Sequence, residues 1–548
     1  MVAALAAKVA RPEADDPVVL PGSPSRPQRS RERKLLRWST RLERVGAVAL
    51  VVVVVLPLVV ASYPLLQALD EGHRTMGDTA LLELGVRRVG SDPLLLGPYS
   101  RFDWNHLGPA PFVALAPVYW LTGGDGLGLG LGALAVNAAS VVGIAVLAWR
   151  RGGATLAVWA LVLVALLLRL LGPELLRDPW NPHLAILPLA LLVLLAWSVA
   201  CGSRWSLPVA VAVGSAVVQT HLGFGPVVGV LLVGSCLLLL TRRRRGLLRP
   251  LLVTAAVLAV LWAPAVLEEL SNDPGNISTL RTYLEEERET PGLEEGAEMA
   301  GAQLGRLPAS VVGLELGEDA GLATGGPGWP VALTAGALVV AAVVAWRRRL
   351  PDVLRLVPLV LLFGAASVLA ASNIDGERYA YLVTWVVVGG FAAWLAVAAA
   401  LVPWRRGRGR VTALLAGAAL VWGISLGGAG AASDTRVPEA DRSAVVAKLV
   451  APLDDVVPQG DCPVLVRWSG DAGWAWGAGV ALALQKTGRE VLVNPRWRVM
   501  FGDEAVGDVP PGSPIVTVVA PNGDGAGPVV SRTRTLRVHL GGGSCGAR

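Results

Sequence analysis

The sequence predicts an all-α polytopic membrane bundle of about eleven helices, followed by a small α/β domain. Three observations carry this. Hydrophobic residues make up 53 % of the 548 residues and charged residues only 16 %, against roughly 25 % charged in soluble chains, and the mean hydropathy is +0.55. Apolar runs close to the length that crosses a bilayer recur along most of the chain. After about residue 429 they stop, and short segments of strand and amphipathic-helix character take over. This balance excludes a soluble enzyme, a disordered regulator and a nucleic-acid binder. The formal net charge of +6 reads as a topology signal on such a chain, not as affinity for polyanions.

Residues 1–44 form a basic, proline-containing tail with ten Lys or Arg and five Asp or Glu. The apolar run 45–62 starts too late for a signal peptide. Tyr63 and Pro64 follow it in place of a small-residue cleavage site. The tail is read as cytoplasmic and the run as a retained helix. Further runs fall at about 127–148, 154–171, 184–200, 206–222, 224–240, 250–267, 329–346, 353–371, 380–402 and 411–428. That gives eleven spans within a transmembrane domain of residues 45–428. Pro109–Leu121 is apolar but too short to span, and is read as an interfacial or re-entrant helix.

With eleven spans, the arginines at 150–151, 204, 242–249, 347–355 and 405–410 share one face with the N-terminal tail, as the positive-inside rule requires. The expected topology is N-in and C-out, in the plasma membrane. The other face receives the long segments 64–126, 172–183, 268–328, 372–379 and 429–548. Segment 268–328 carries 13 acidic residues against three arginines. It reads as a solvated acidic loop, of a length that also suits a lid. Only Lys8, Lys34, Lys448 and Lys486 are lysine among 48 basic residues. With the abundance of Ala, Gly, Val and Leu, this points to a high-GC, actinobacterial genome.

The extracytoplasmic segment 429–548 reads as α/β. Strands are expected at 462–468, 490–494, 514–520 and 535–540, with an amphipathic helix over Gly473–Lys486. Cys462 and Cys545 both fall here, in an oxidising compartment, and are expected to form a disulfide. Cys201 and Cys236 sit in or beside spans and read as small apolar fillers. No spacing typical of zinc or redox cysteines is present.

Strongly polar groups near hydrocarbon are costly and mark function. Here they collect at one end of the helices. Loop 64–126 contains Glu71-Gly-His-Arg-Thr-Met-Gly-Asp78 and Pro98-Tyr-Ser-Arg101-Phe-Asp-Trp-Asn105-His106. After the third span comes Arg177-Asp178-Pro-Trp180-Asn181-Pro-His183, and after the fifth Gln219-Thr-His221. Ser372-Asn-Ile-Asp-Gly-Glu377-Arg378-Tyr379 follows the ninth. A helix cap at Asp78, a capped turn at 177–183 and a hydrophilic hairpin at 372–379 account for each cluster singly. Four clusters at the same ends of different helices are expected to line one wet cavity.

At these residues the chain resembles the GT-C glycosyltransferases, polytopic enzymes that use lipid-linked sugars. Gly77-Asp78-Thr-Ala resembles the family's Asp-Glu-Ala segment, with Thr79 in place of the second acid. Asn105-His106-Leu-Gly-Pro-Ala-Pro-Phe with Leu-Thr-Gly-Gly-Asp-Gly resembles its His-Pro-Pro-Leu-Tyr-Tyr … Phe-Gly segment. Asp-Pro-Trp-Asn-Pro-His and Gln-Thr-His-Leu-Gly are similar to strings of actinobacterial members. The resemblance covers about residues 45–428. It implies a polyprenyl-phosphate sugar donor in the outer leaflet and an extracytoplasmic glycan, lipid or protein acceptor of the cell envelope.

On that resemblance Asp78 is the expected base for the acceptor hydroxyl. Arg101, Arg378 and His183 are candidates for the leaving phosphate. Asn105, His106, Asn181, Gln219 and His221 are candidates for sugar hydroxyls, and Trp180 or Tyr379 for a sugar face. A divalent metal on Asp78 with Asp178 or Glu377 stays open, since no ligand spacing demands it. Three other classes stay open as well. A polymerase or ligase of lipid-linked glycans would share the outer face and the lipid phosphate. A flippase or transporter of lipid-linked glycans would show repeated halves and mid-membrane polar residues. A non-catalytic envelope scaffold would bind without transfer.

Overall fold

Each of the eleven apolar runs lies in a helix of the computed structural model. The model describes residues 26–548 apart from 92, 243–245, 314–327, 403–407, 458, 460–461, 471–472, 522, 524, 526 and 543–548. The chain divides into two compact units, residues 1–49 and 50–548. Helix α1 spans Arg26–Gln67. α2 (Gly77–Arg87) and α3 (Ala110–Leu121) belong to the first loop. The bundle continues with α4 (Leu127–Arg177), α5 (Ile186–Ala200), α6 (Ser206–Thr220), α7 (Gly225–Leu240) and α8 (Leu248–Ser271). The former loop 268–328 folds into α9 (Asn276–Glu285), α10 (Gly292–Leu304) and α11 (Arg306–Val311). Then come α12 (Trp329–Arg347), α13 (Pro351–Ser372), α14 (Val387–Leu401) and α15 (Arg408–Ser433).

Among the described residues, nine helices are long and apolar enough to cross a membrane. One of them, α4, is two helices in series. Gly153 takes φ +63° and ψ −160°, a conformation essentially restricted to glycine, and the chain turns there beside Arg150 and Arg151. That is the break expected between the second and third runs. α6, with 15 residues, is shorter than the nine. The chain is a multi-pass membrane protein.

Burial sorts the helices. α5 and α14 are apolar all round and almost wholly enclosed, with Trp197 and Phe391 at 1 % and 0 % exposure. α8 and α15 are peripheral, and Leu251, Leu252 and Val260 on α8 are exposed apolar side chains suited to lipid. The acidic segment is not a solvated loop throughout. Met299 of α10 is fully buried against Ala371 and Val383, and Glu268 at the end of α8 is buried too, its carboxylate accepting from Asn276 N–H (2.8 Å).

One end of the bundle is tied by arginines. Arg151 donates to Ser198 O (3.0 Å), Arg242 to Cys201 O (2.8 Å), and Arg355 to Ala200 O (2.9 Å) and Leu238 O (2.8 Å). Arg348 donates to Ala400 O (3.2 Å). These carbonyls end α5, α7 and α14, where unpaired C=O groups and the helix dipole favour a cation.

After α16 (Ala440–Val450) the last domain forms a five-stranded sheet, β1 (Val464–Trp468), β2 (Val491–Val493), β3 (Ile515–Val519), β4 (Val529–Arg532) and β5 (Arg537–Gly541). The order is β2-β1-β3-β5-β4, parallel across β2-β1-β3 and antiparallel beyond. α17 (Gly473–Lys486) connects β1 to β2. Four strands and the helix lie where expected. β4 has no counterpart in the sequence reading, being four residues at the sheet edge with a bulge. Cys462 is disulfide-bonded and Cys201 and Cys236 are free. The expected partner, Cys545, lies outside the described residues.

Candidate active site

The end of the bundle away from the arginine ties holds an open cavity of about 1330 Å³. Its walls come from loop 93–106, the start of α2, the 180–182 turn, the α6–α7 junction, α9, the 373–375 turn and residues 498–504 of the C-terminal domain.

A short antiparallel excursion of the first loop builds one wall. Gly97 N–H donates to His106 O (2.8 Å), His106 N–H to Pro98 O (2.9 Å) and Ser100 N–H to Trp104 O (2.7 Å). Asp103 turns the tip at φ +58°, which aspartate tolerates better than most residues. Tyr99 and Asn105 form an isolated bridge, and residues 101–103 make the turn. Tyr99 donates its hydroxyl to Asp78 Oδ1 at 2.5 Å. Arg101 donates to Asp375 O (2.5 Å) and Glu377 O (2.9 Å), and its guanidinium lies over the rings of Phe102 and Tyr379 at 4.8 and 5.3 Å. Phe102 stacks on Tyr283 (4.9 Å) and Trp104 meets His106 edge-on (5.3 Å).

Asp78 sits in the first turn of α2. Burial raises its pKa above the ordinary carboxylate value. The Tyr99 hydrogen bond pulls the other way, and nearby Asp178 and Glu439 add to the rise. Burial also raises Tyr99, with Asp78 adding to it, so Tyr99 stays a donor. His106 is pushed well below its ordinary value by burial, with His221 adding to it. Its Nδ1 accepts from Leu222 N–H at 3.1 Å, so the neutral ring carries its proton on Nε2.

The chain is similar in structure to ArnT from Cupriavidus metallidurans bound to undecaprenyl phosphate. The TM-score is 0.53 at 14 % identity, over 89 % of this chain and 97 % of that one. The chain shares the fold of ArnT. The apo state of the same ArnT matches at TM-score 0.51 and 15 % identity, with the same coverage. The oligosaccharyltransferase AglB from Archaeoglobus fulgidus, with an inhibitory peptide and a dolichol-phosphate, matches at 0.40 and 13 %, over 86 % of this chain and 69 % of that one. No family model and no curated protein matches the chain in sequence.

Within this fold, Asp78, Arg101, Asn105, His106, Trp180, Asn181 and His221 line the cavity. Trp180 meets Tyr381 edge-on at 4.5 Å. Asp178 stands just behind. Its carboxylate accepts from Trp180 N–H (3.0 Å) and faces His183 Nδ1 (2.7 Å), so this dense string closes on itself as a turn. Asn105 and Gln219 spend their amides on backbone. Asn105 donates to Val499 O (2.9 Å), while Gln219 donates to Leu261 O (2.6 Å) and accepts from Ala110 N–H (3.2 Å). Gln219, His183, Glu377, Arg378 and Tyr379 do not line the cavity. Glu377 accepts from the Tyr379 hydroxyl (2.5 Å), and Arg378 pairs with Glu295 of α10. Among the described residues no three His, Cys, Asp or Glu side chains group as metal ligands would.

Sequence reasoning passed over Tyr99, Arg88, Tyr283, Arg288 and Arg498, all of which line the cavity. Tyr99 and Arg88 lie in the same outer loop as Asp78. Arg498 sits in a polar domain, where an arginine costs nothing and carries no signal.

Arg378 stands 43 % exposed in its ion pair. Exposed pairs of this kind contribute little. Arg378→Ala is therefore expected to change the apparent donor KM less than about fivefold. Donor titration of transfer in membranes measures it, and a larger loss would put Arg378 in the donor site.

Proposed function

We propose that the protein is an integral-membrane glycosyltransferase. It moves a sugar from a polyprenyl-phosphate donor to a glycan, lipid or protein acceptor of the cell envelope. The single observation that carries this reading is the half-buried Asp78–Tyr99 pair in a cavity that Arg101 also lines. The fold shared with ArnT supports it, since the matching ArnT structure holds undecaprenyl phosphate. The arginine ties and the cavity occupy opposite ends of the bundle. By the positive-inside rule this supports an extracytoplasmic site in the plasma membrane, with the N-terminus inside.

In this reading the acceptor hydroxyl attacks the anomeric carbon as that carbon's bond to phosphate oxygen breaks. Polyprenyl phosphate leaves with the electron pair, and the hydroxyl proton passes to Asp78. Arg101 faces the charge that develops on the leaving phosphate. Neutral His106 and the Asn181 side-chain oxygen are candidates to read sugar hydroxyls, and Trp180 to meet a sugar face; the Asn181 amide N–H donates to Thr220 O (3.1 Å).

The test is transfer by the purified full chain in lipid nanodiscs, from a panel of radiolabelled polyprenyl-phosphate sugars to an envelope fraction. Labelled product from at least one donor is expected. No product from any donor, together with no binding of polyprenyl phosphate, would overturn the reading.

The base must be ionised, so the rate rises with pH through the pKa of Asp78. The Tyr99 hydroxyl lowers that pKa. Tyr99→Phe is expected to move the acidic limb of the pH–rate profile to higher pH. A limb that stays in place or moves down would remove Asp78 from the base role.

A further inference from the structure

The residues leading into Asp78 rest on the C-terminal domain. Arg74 N–H donates to Ser443 Oγ of α16 at 2.7 Å. A Cβ on Gly479 of α17 would lie 2.9 Å from Thr75 O and 3.3 Å from the Met76 side chain, and one on Gly77 would lie 3.5 Å from Ala475. Trp474 of α17 meets Tyr99, the partner of Asp78, edge-on at 6.4 Å.

Beneath this contact lies a buried ion pair. Glu83, one turn beyond Asp78 on α2, is 0 % exposed. Its Oε2 accepts from the Thr75 hydroxyl (2.6 Å), and its Oε1 from the Tyr119 hydroxyl (3.0 Å). The ammonium of Lys486, at the end of α17, pairs with the same Oε1. Gly126 makes room, since a Cβ there would lie 2.8 Å from Glu83 Oε2. A carboxylate out of water needs both a countercharge and hydrogen bonds. Two hydroxyls and one lysine supply them, and among the described residues the lysine is the contribution from the other domain.

We propose that Lys486 is a positioning residue: through Glu83 and Thr75 the C-terminal domain fixes the start of α2, and so the place of Asp78. The inference rests on the reading of Asp78 as the base. Lys486 touches no reacting atom, so its loss should lower kcat and spare donor KM. Displacement of a reacting group by about 1 Å can cost on the order of 100-fold.

The experiment uses the full chain in nanodiscs as Lys486→Met, Lys486→Arg and the double variant Glu83→Gln/Lys486→Met. Hydrogen exchange across residues 74–87 reads the clamp without any assay of transfer. Faster exchange there in Lys486→Met, with α5 and α14 unchanged and protection restored in Lys486→Arg, is the expected result. Unchanged exchange would overturn the proposal whatever the activity. In the transfer assay Lys486→Met should lower kcat about 10- to 100-fold with donor KM within about twofold, and Lys486→Arg should recover most of it. Loosened exchange with a normal kcat would also overturn the proposal. A wild type without transfer would sink the reading of Asp78, and the exchange data would still decide the clamp. Should Lys486→Met fail to fold, the double variant carries no unpaired charge. It is expected to fold and keep the kcat defect, and full activity in it would overturn the proposal.

Discussion

Asp78→Asn is expected to lower transfer by about 10²- to 10⁴-fold, the usual contribution of a positioned base, while leaving the protein level in the membrane unchanged. Asparagine matches the carboxylate in size and still accepts from the Tyr99 hydroxyl, so the local fold should hold. It cannot take a proton. The loss should therefore fall on kcat with little change in donor KM, because no ionic contact to the donor phosphate is removed. Transfer rates measured in membranes with matched protein levels decide this. An Asp78→Asn variant within threefold of the wild type would remove the base assignment. The pH profile of Tyr99→Phe tests the same carboxylate from its other side.

Arg101→Ala carries the second large effect. Its guanidinium does two things at once. It faces the cavity, and it grips Asp375 O and Glu377 O on the 373–379 turn. Removing it takes a cation from the leaving phosphate and frees the turn that carries Tyr379. A single preorganised donor to developing charge is worth about 10² to 10³ in rate, so a loss of that order in donor kcat/KM is expected. Arg101→Lys keeps the charge but loses the planar guanidinium, and should recover only part of the loss. If Arg101→Ala keeps donor kcat/KM within threefold, the phosphate lies elsewhere in the cavity, with Arg288 and Arg498 next in line.

The bundle was legible in the sequence because its physics is one-dimensional. A spanning helix declares itself by a run of apolar residues. Gly152-Gly153 beside two arginines declares the break in α4. The polar clusters were legible for the same reason, since Asp78, Arg101, His106 and Asn181 stand where polar groups are costly. What escaped depends on three-dimensional context. Gln219 looked like a ligand but joins the backbones of α3 and α8. Asp178 and His183 looked like two site residues and form one turn. Arg378 stands next to Tyr379 in sequence, yet it turns to α10, an element that read as solvated loop. The wall supplied by residues 498–504 carried no signal, because a polar residue in a water-exposed domain costs nothing. β4 was missed because a four-residue edge strand carries little pattern of its own.

The cavity is also ordered in time. Asn105 and Val499, bonded across its wall, are 394 positions apart, and Arg74 and Ser443 are 369 apart. Chains fold from the N-terminus as they are made, so α2 and the first loop emerge long before the domain that encloses them. A ribosome that stalls inside the bundle leaves a membrane protein with an unwalled cavity and an unsupported Asp78. A chain truncated before the last domain lacks both the 498–504 wall and the Ser443 contact to Arg74.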